Sequence, residues 1–432
     1  TYAGTGMLTG CYDIPVAYAN VKGVYTNTNP TDAYRGAGRP EAAYLIERLV
    51  DKAAYELGLT AFEIRKINLI DKKQMPYKTA LGHTYDSGDF KKNLEDAAVL
   101  SLYKDFENRK LESNTRKCLR GIGISTYIEA CGGGGPETAE ISVDSLGQVN
   151  IKIGTQSNGQ GHETSYSQIA SEILNIDLEK IKVFQGDSTL IEKGSGTGGS
   201  RSTPVGGSAL HLATTKLVHK AKLFVSKLLK TELDSISYKE GFFYHMNNNF
   251  SLADISNLMR DNNETFSYSS DWAPSPGSFT YPNGTHICEL EIDIFTGKVS
   301  ILNYSVVDDF GKVVNPLLLE GQVHGGIVQG IGQALYEETV YDENSGQLMN
   351  GSFMDYAIPR ASDVPNINFE FNEILCKNNL LGVKGAGEAG AIGAPPAVIN
   401  AICNALQIEH IDMPAKPEKI WKIINKNKIV IK

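Results

Sequence analysis

A two-lobed α+β fold is predicted for this chain, on three observations. At 432 residues it is too long for one ordinary hydrophobic core. Hairpins and apolar helices alternate without the regular strand–helix–strand run of a parallel α/β protein. Near residue 118 a helix-rich character gives way to strands with Gly-rich links, which divides the chain into residues 1–118 and 119–432.

The elements follow in order. Tyr and Val alternate through "IPVAYANVKGVYTNT" (14–28), so residues 1–39 read as strand and loop. "PEAAYLIERLVDKAAYEL" reads as a helix, with Pro40 in its first turn, an apolar stripe at helical spacing and Gly58 past its end. Thr60 and Glu63 have the spacing of a capping box for a short helix to about Ile67. One further helix is expected over 85–112, begun near Ser87. Beyond Arg120, "EISVDSLGQVNIKI" is a hairpin turning at Asp144–Gly147, and "LEIDIFTGKVSILNY" a second turning at Asp293–Gly297. Each leads to a Gly-rich stretch and an apolar helix, as if one supersecondary unit were used twice. Residues 231–285, rich in Asn and Ser and without clear period, are expected at the periphery. Asn315 caps and Pro316 opens a helix through "LLLEGQVHGGIVQGIGQALYEE". Each Gly in it costs about 1 kcal/mol relative to Ala. Such a helix is expected to bring its backbone against another element or a ligand.

Composition narrows the function. A hydrophobic content of 41%, a charged content of 21% and a net charge of -9 describe a soluble protein and speak against a nucleic-acid partner, the more so as there is no basic stripe. No apolar run of membrane length, roughly 18 residues, is evident. Cys11, Cys118, Cys131, Cys288, Cys376 and Cys403 form no C-x-x-C pair, so neither an iron–sulfur cluster nor a structural zinc is expected in this chain, and their scatter fits a reducing cytoplasm. The histidines make neither H-x-x-x-H nor H-E-x-x-H, and there is no G-x-S-x-G elbow. The chain begins at Thr1 without a Met, as a lost or cleaved N-terminus would leave it.

Four segments share one design, a Gly-rich turn entering a helix: "YRGAGRPEAAYL" (34–45), "GTQSNGQGHETSYSQIASEIL" (154–174), "GSGTGGSRSTPVGGSALHLATTKL" (194–217) and "GVKGAGEAGAIGAPPAVINAI" (382–402). Such turns offer backbone N–H groups and the positive end of a helix to phosphate. Their spacing fits neither a P-loop nor a dinucleotide fingerprint of the NAD type, which points to another long, phosphate-bearing cofactor. Glu388 stands alone among small residues. It is either a solvated loop carboxylate or a desolvated one with a raised pKa, able to take a proton, with Lys384 close enough in sequence to limit the rise. Arg35 either pairs on the surface with Glu41 or holds a guanidinium toward an oxygen atom. Tyr127, Glu129 and Cys131, before the run of glycines at 132–135, either line a pocket or pack.

"VYTNTNPTDAYRGAGRPEAAYLIERLVD", "GTQSNGQGHETSYSQIASEIL", "NPLLLEGQVHGGIVQGIGQALYEE" and "GVKGAGEAGAIGAPPAVINAI" closely resemble, in the same order, motifs of the molybdenum-binding subunit of the xanthine dehydrogenase / aldehyde oxidoreductase / carbon monoxide dehydrogenase family. The resemblance covers nearly the whole chain. It implies a two-lobed molybdopterin-binding fold of the aldehyde oxidoreductase type and molybdenum held by a pterin, as molybdopterin cytosine dinucleotide. By this resemblance Glu388 matches the catalytic base and Arg35 the arginine that steadies substrate oxygen as charge develops. Gly159, Gln160 and Gly161 match the pterin-binding motif, and Gln329 lies on the helix that packs on the cofactor. Ser200, Arg201 and Ser202 fall in the loop expected to hold the dinucleotide end. Lys384, Gly385 and Gly387 bring backbone to the cofactor beside Glu388. Tyr34, Tyr127 and Glu129 are candidates for a substrate pocket.

Two departures qualify the resemblance. Where aerobic carbon monoxide dehydrogenases carry a copper-binding Cys after the arginine, this chain has Gly36, which disfavours carbon monoxide as substrate. The family's "GGGFGGK"-type segment is absent from this sequence, so the chain is expected to be either a fragment or one half of a split subunit, with a companion polypeptide supplying the N-terminal half. Electrons are expected to leave through an iron–sulfur subunit and an FAD subunit. The expected activity is oxidation of an aldehyde to a carboxylic acid, or hydroxylation of an N-heteroaromatic carbon, with oxygen derived from water. The competing reading is a non-catalytic nucleotide- or cofactor-binding half of a larger complex.

Overall fold

Residues 2–429 are described by a computed structural model, beginning with a short helical turn, α1 (Tyr2–Thr5). Residues 16–33 then run in the open: Val16, Tyr18, Val24 and Tyr25 are exposed. The strand expected here does not form, because a strand needs a partner for its ladder and none among the described residues pairs with this segment. Helix α2 (Arg39–Leu57) carries Pro40 in its first turn and stops at Gly58, whose φ of 66° lets its N–H close the last turn. Helix α3 (Ala61–Asn68) carries the capping box of Thr60 and Glu63. A short ladder of β1 (Tyr77–Lys78) and β2 (Thr84–Tyr85) precedes α4 (Phe90–Leu100), capped by Asp89, and α5 (Phe106–Thr115). The single helix expected over 85–112 is therefore two, broken where Leu102 takes a left-handed φ of 52°.

The rest of the chain builds two four-stranded sheets. In order come β3 (Cys118–Ile128), β4 (Glu137–Val143), β5 (Val149–Ile153), α6 (His162–Leu174), β6 (Ile181–Phe184) and α7 (Ser208–Leu229). They are followed by β7 (Ser237–Lys239), β8 (Phe242–His245), β9 (Asn248–Ser251), α8 (Leu252–Asp261) and β10 (Ser267–Trp272). The last group is β11 (Asn283–Asp293), β12 (Val299–Asp309), α9 (Pro316–Leu335), β13 (Ile367–Asn372), α10 (Ala389–Leu406) and α11 (Pro417–Asn427). The sheet orders are β10-β4-β5-β6 and β13-β12-β11-β3. In each, an antiparallel hairpin leads through a helix to a strand parallel to its second arm and then to a long helix: β4–β5–α6–β6–α7 and β11–β12–α9–β13–α10. The unit read twice in the sequence is present twice. Only the fourth strand differs, β3 preceding its hairpin and β10 following. Residues 231–285 are not wholly peripheral: β7, β8 and β9 form a small sheet of their own, but β10 edges the first large sheet and Tyr281 is buried.

Burial follows from the pleat. Ala139, Ile141, Ile151 and Ile153 of the first sheet pack with Ala209, Leu210 and Ala213 of α7. The second sheet is covered on both faces: Cys288, Leu290 and Ile292 of β11 join α9, α10 and α11, whereas Ile287 joins Ile122, Ile124 and Ile128 of β3 beneath the N-terminal helices. Fully buried Arg65 fastens α3 to α2 and β3 by donating to Glu47, Asp51 and the Ile124 carbonyl. The Gly-rich helix α9 does bring its backbone close to another element. A Cβ on Gly326 would stand 2.8 Å from the Cα of Gly390 on α10. Against the sequence expectation, α10 is long and apolar enough to cross a membrane, yet every residue in it but Asn404 is buried in the protein.

Candidate active site

The four Gly-rich turns converge on one cleft of about 880 Å³, near the upper end of small-molecule sites. Tyr34, Arg35 and Arg39 come from the first turn and Asn158, Gly159 and Gln160 from the second. Residues 197–200 and 202–204 come from the third, and 383–388 from the fourth. Asn315, Leu318 and Gln322 at the start of α9 complete the wall.

Glu388 sits at the N-terminal end of α10, and three donors hold its carboxylate. The Gly36 N–H donates to Oε1 at 2.9 Å, while Ser200 Oγ and Arg39 Nη2 donate to Oε2, each at 2.9 Å. Arg39 is itself 8% exposed and donates to the carbonyls of Gly36 at 2.5 Å and Ala130 at 2.7 Å. Arg35 donates through Nε to the Gly387 carbonyl at 2.6 Å and through Nη2 to that of Gln322 at 3.1 Å. Neither surface pairing with Glu41 nor freedom of the side chain survives this geometry.

The protonation state of Glu388 departs from expectation. Burial pushes its pKa up, but the Arg39 guanidinium and the hydrogen bonds it accepts outweigh burial, so it is held below the ordinary carboxylate range. The cation responsible is Arg39, which the sequence reading passed over four residues beyond Arg35. Lys384 has no part in it. Its Nζ lies 2.6 Å from Asp309 Oδ2, both side chains being fully buried, so only its backbone can serve a ligand. Burial also lowers the Arg35 pKa.

The other predicted residues divide. Tyr34, Gly159, Gln160, Ser200, Ser202, Gly385 and Gly387 line the cleft; Gly161, Arg201, Gln329, Tyr127 and Glu129 do not. Gly161 caps α6 with Leu318 against it. Arg201 spends its guanidinium on Glu137, Ser195 and the Gly135 carbonyl, clamping two Gly-rich loops together. Gln329 faces Tyr34. Tyr127 is 1% exposed, with its ring edge-on to His286, and Glu129 is 0% exposed. Both faces of β3 are buried, so Tyr127 near its end and Glu129 just past it are enclosed by protein and belong to the packing reading rather than the pocket.

The residues present suit a phosphate-bearing cofactor. Added Cβ atoms at Gly159, Gly198 and Gly199 would meet nothing within 4 Å, so backbone faces open space there. Gly159 and Gly199 have φ of 96° and 62°, the left-handed backbone from which anion-binding nests are made. Gly385 lets its loop lie against the Ser200 loop, since a Cβ would stand 2.3 Å from the Ser200 carbonyl oxygen. Arg35 and Arg39 place positive charge at the Glu388 end.

Comparisons with known proteins identify the fold and the family. The chain is 32% identical to the carbon monoxide dehydrogenase large chain of Hydrogenophaga pseudoflava, over 98% of this chain and 56% of the relative. It is 34% identical to the gamma subunit of the 6-hydroxypseudooxynicotine dehydrogenase complex of Paenarthrobacter nicotinovorans, over 96% of this chain and 54% of the relative. The chain thus spans about half the length of these curated relatives. The structure superposes on reconstituted CO dehydrogenase from Oligotropha carboxidovorans with a TM-score of 0.90 at 32% identity, covering 98% of this chain and 56% of that one. For quinoline 2-oxidoreductase from Pseudomonas putida 86 the TM-score is 0.89 at 29% identity, covering 98% and 57%. Residues 96–365 match one molybdopterin cofactor-binding domain family and residues 1–69 match a second of the same description. The α+β lobes around the cleft are those of molybdopterin-binding proteins, and the chain belongs to the molybdopterin cofactor-binding domain family.

Proposed function

We propose that this chain is the catalytic part of a molybdenum hydroxylase that oxidises an aldehyde to a carboxylic acid or hydroxylates an N-heteroaromatic carbon. The observation that carries the reading is the Glu388 carboxylate held by three donors in a cleft of about 880 Å³ walled by four Gly-rich turns. Gly159, Gln160, Ser200, Ser202, Gly385 and Gly387 would hold molybdopterin cytosine dinucleotide through backbone and hydroxyl groups, with the metal carried by the pterin. Bound there, the molybdenum centre supplies two-electron oxidation with oxygen drawn from water.

The chain's own residues do the rest. Oε2 of Glu388 accepts two hydrogen bonds and Oε1 one, so Oε1 keeps the freer lone pair and is the atom that takes a proton. Among the described residues no acceptor engages Arg35 Nη1, which remains to donate to a substrate oxygen as charge develops there. Carbon monoxide is disfavoured by Gly36. Its φ is 102°, and a Cβ there would stand 2.4 Å from Pro40 Cγ, leaving no room for a copper-binding cysteine. In this reading residues 1–118 complete a first molybdenum-binding lobe and 119–432 form the second. Iron–sulfur and FAD subunits take the electrons, and the assembly works in the cytoplasm.

The complex purified from its native host tests this by elemental and nucleotide analysis. Molybdenum, iron and released CMP without copper are expected. Copper beside molybdenum would overturn the use made of Gly36, and absence of molybdenum from a complex containing its other half would leave the non-catalytic binding half as the better reading. Glu388→Gln is nearly isosteric and should lower turnover by about 10²-fold or more while cofactor content is retained. Near wild-type turnover would remove Glu388 as the base.

A further inference from the structure

Behind Glu388 stands a second carboxyl group that the proposed chemistry does not use. Glu129, just past the end of β3, is 0% exposed, and neither of its oxygens accepts a hydrogen bond. Its nearest cation, Arg39 Nη2, is 3.4 Å from Oε1 and bonds Glu388 at 2.9 Å instead, with the other Arg39 donors on the Gly36 and Ala130 carbonyls. The Arg35 guanidinium is turned to carbonyls, and Cys131 and Tyr127, which also face Glu129, bring no positive charge. An ionised carboxylate buried with a single long contact would be poorly compensated. Glu129 Oε1 and Glu388 Oε2 crowd one and the same nitrogen, Arg39 Nη2, at 3.4 and 2.9 Å, and two carboxyl groups so placed bond to each other only if one of them carries a proton.

We infer that Glu129 is a neutral acid whose O–H donates to Glu388, so that it positions the base and helps set the pH at which Glu388 becomes protonated. Burial raises the Glu129 pKa well above the ordinary range while Glu388 is held below it, so one proton resides on the inner member of the pair. Glu129 is a positioning residue, because it acts through Glu388 and does not line the cleft. The inference rests on the base role proposed for Glu388 only for its catalytic consequence; the proton on Glu129 is argued from its burial and from the Arg39 nitrogen that both carboxyl groups face.

Infrared difference spectroscopy on the purified complex tests it without any substrate. At neutral pH a protonated carboxyl C=O band is expected in the wild type and is lost in Glu129→Gln. Asp308, also fully buried with both oxygens unpartnered, gives its own band, which Asp308→Asn identifies. The midpoint at which Glu388 protonates, read from the band missing in Glu388→Gln, should be similar in the wild type and in Glu129→Gln, whose amide still donates. In Glu129→Leu it should rise by about half a pH unit or more, because the donor is gone. No band lost in Glu129→Gln, or equal midpoints in the Gln and Leu variants, would overturn the inference. If Glu129→Leu does not fold, the band lost or kept in Glu129→Gln decides alone. A complex that shows this band but lacks molybdenum would sink the hydroxylase reading and leave the paired proton intact.

Discussion

Replacing Arg39 by Met removes the guanidinium that joins the start of α2, the loop after β3 and the Glu388 turn while keeping most of the apolar volume. Three hydrogen bonds are lost, to Glu388 Oε2 at 2.9 Å, the Gly36 carbonyl at 2.5 Å and the Ala130 carbonyl at 2.7 Å. Hydrogen bonds with a charged partner contribute about 1.5–3 kcal/mol each. The full sum is not expected, because the freed carbonyls at the cleft edge recover water. The loss should be about 3–5 kcal/mol, as for a buried ion pair broken on one side. The sign with pH follows from Glu388, whose folded pKa is depressed. Its ionised form stabilises the native state above the unfolded carboxylate pKa, and that contribution fades as pH falls through the folded value. Urea melts of wild type and variant should therefore differ most at pH 7 and approach each other in acid. Trp272 and Trp421 serve as fluorescence probes. A difference under about 0.5 kcal/mol at pH 7, the size of a neutral surface change, would refute the account of Arg39.

Two further substitutions probe the walls of the site. Gly36→Ala places a Cβ 2.4 Å from Pro40 Cγ at a φ of 102° and should destabilise by about 1–3 kcal/mol, read as a lower Tm; an unchanged Tm would show that the turn yields, and would reopen room for a cysteine there. Lys384→Met takes from fully buried Asp309 the ammonium 2.6 Å away, leaving it the neutral donors of Asn283, Gly311 and Ile374, and should cost about 3–5 kcal/mol by urea unfolding; adding Asp309→Asn should recover a substantial part, and no recovery would mean that the pair matters for packing rather than charge.

The sequence by itself determined what is decided within a few residues. Pro40 and Gly58 bound α2, Thr60 and Glu63 cap α3, and Asn315 with Pro316 opens α9, because a cap satisfies backbone groups within one turn. The hairpin turns, the doubled unit and the four Gly-rich turns were legible for the same reason. The break at Leu102 was not, since the helical pattern continues through it. The alternation at 14–28 misled in the other direction, as a strand depends on a neighbour that may be any distance away along the chain. Only the tertiary structure decided that the four turns share one cleft and that Arg39, 349 residues from Glu388, is its cation. It also paired Lys384 with Asp309 and put Glu129 behind the base rather than in the pocket. Sequence spacing carries the local geometry of the backbone, whereas the charge state of Glu388 depends on groups that only folding brings within a few ångströms of it.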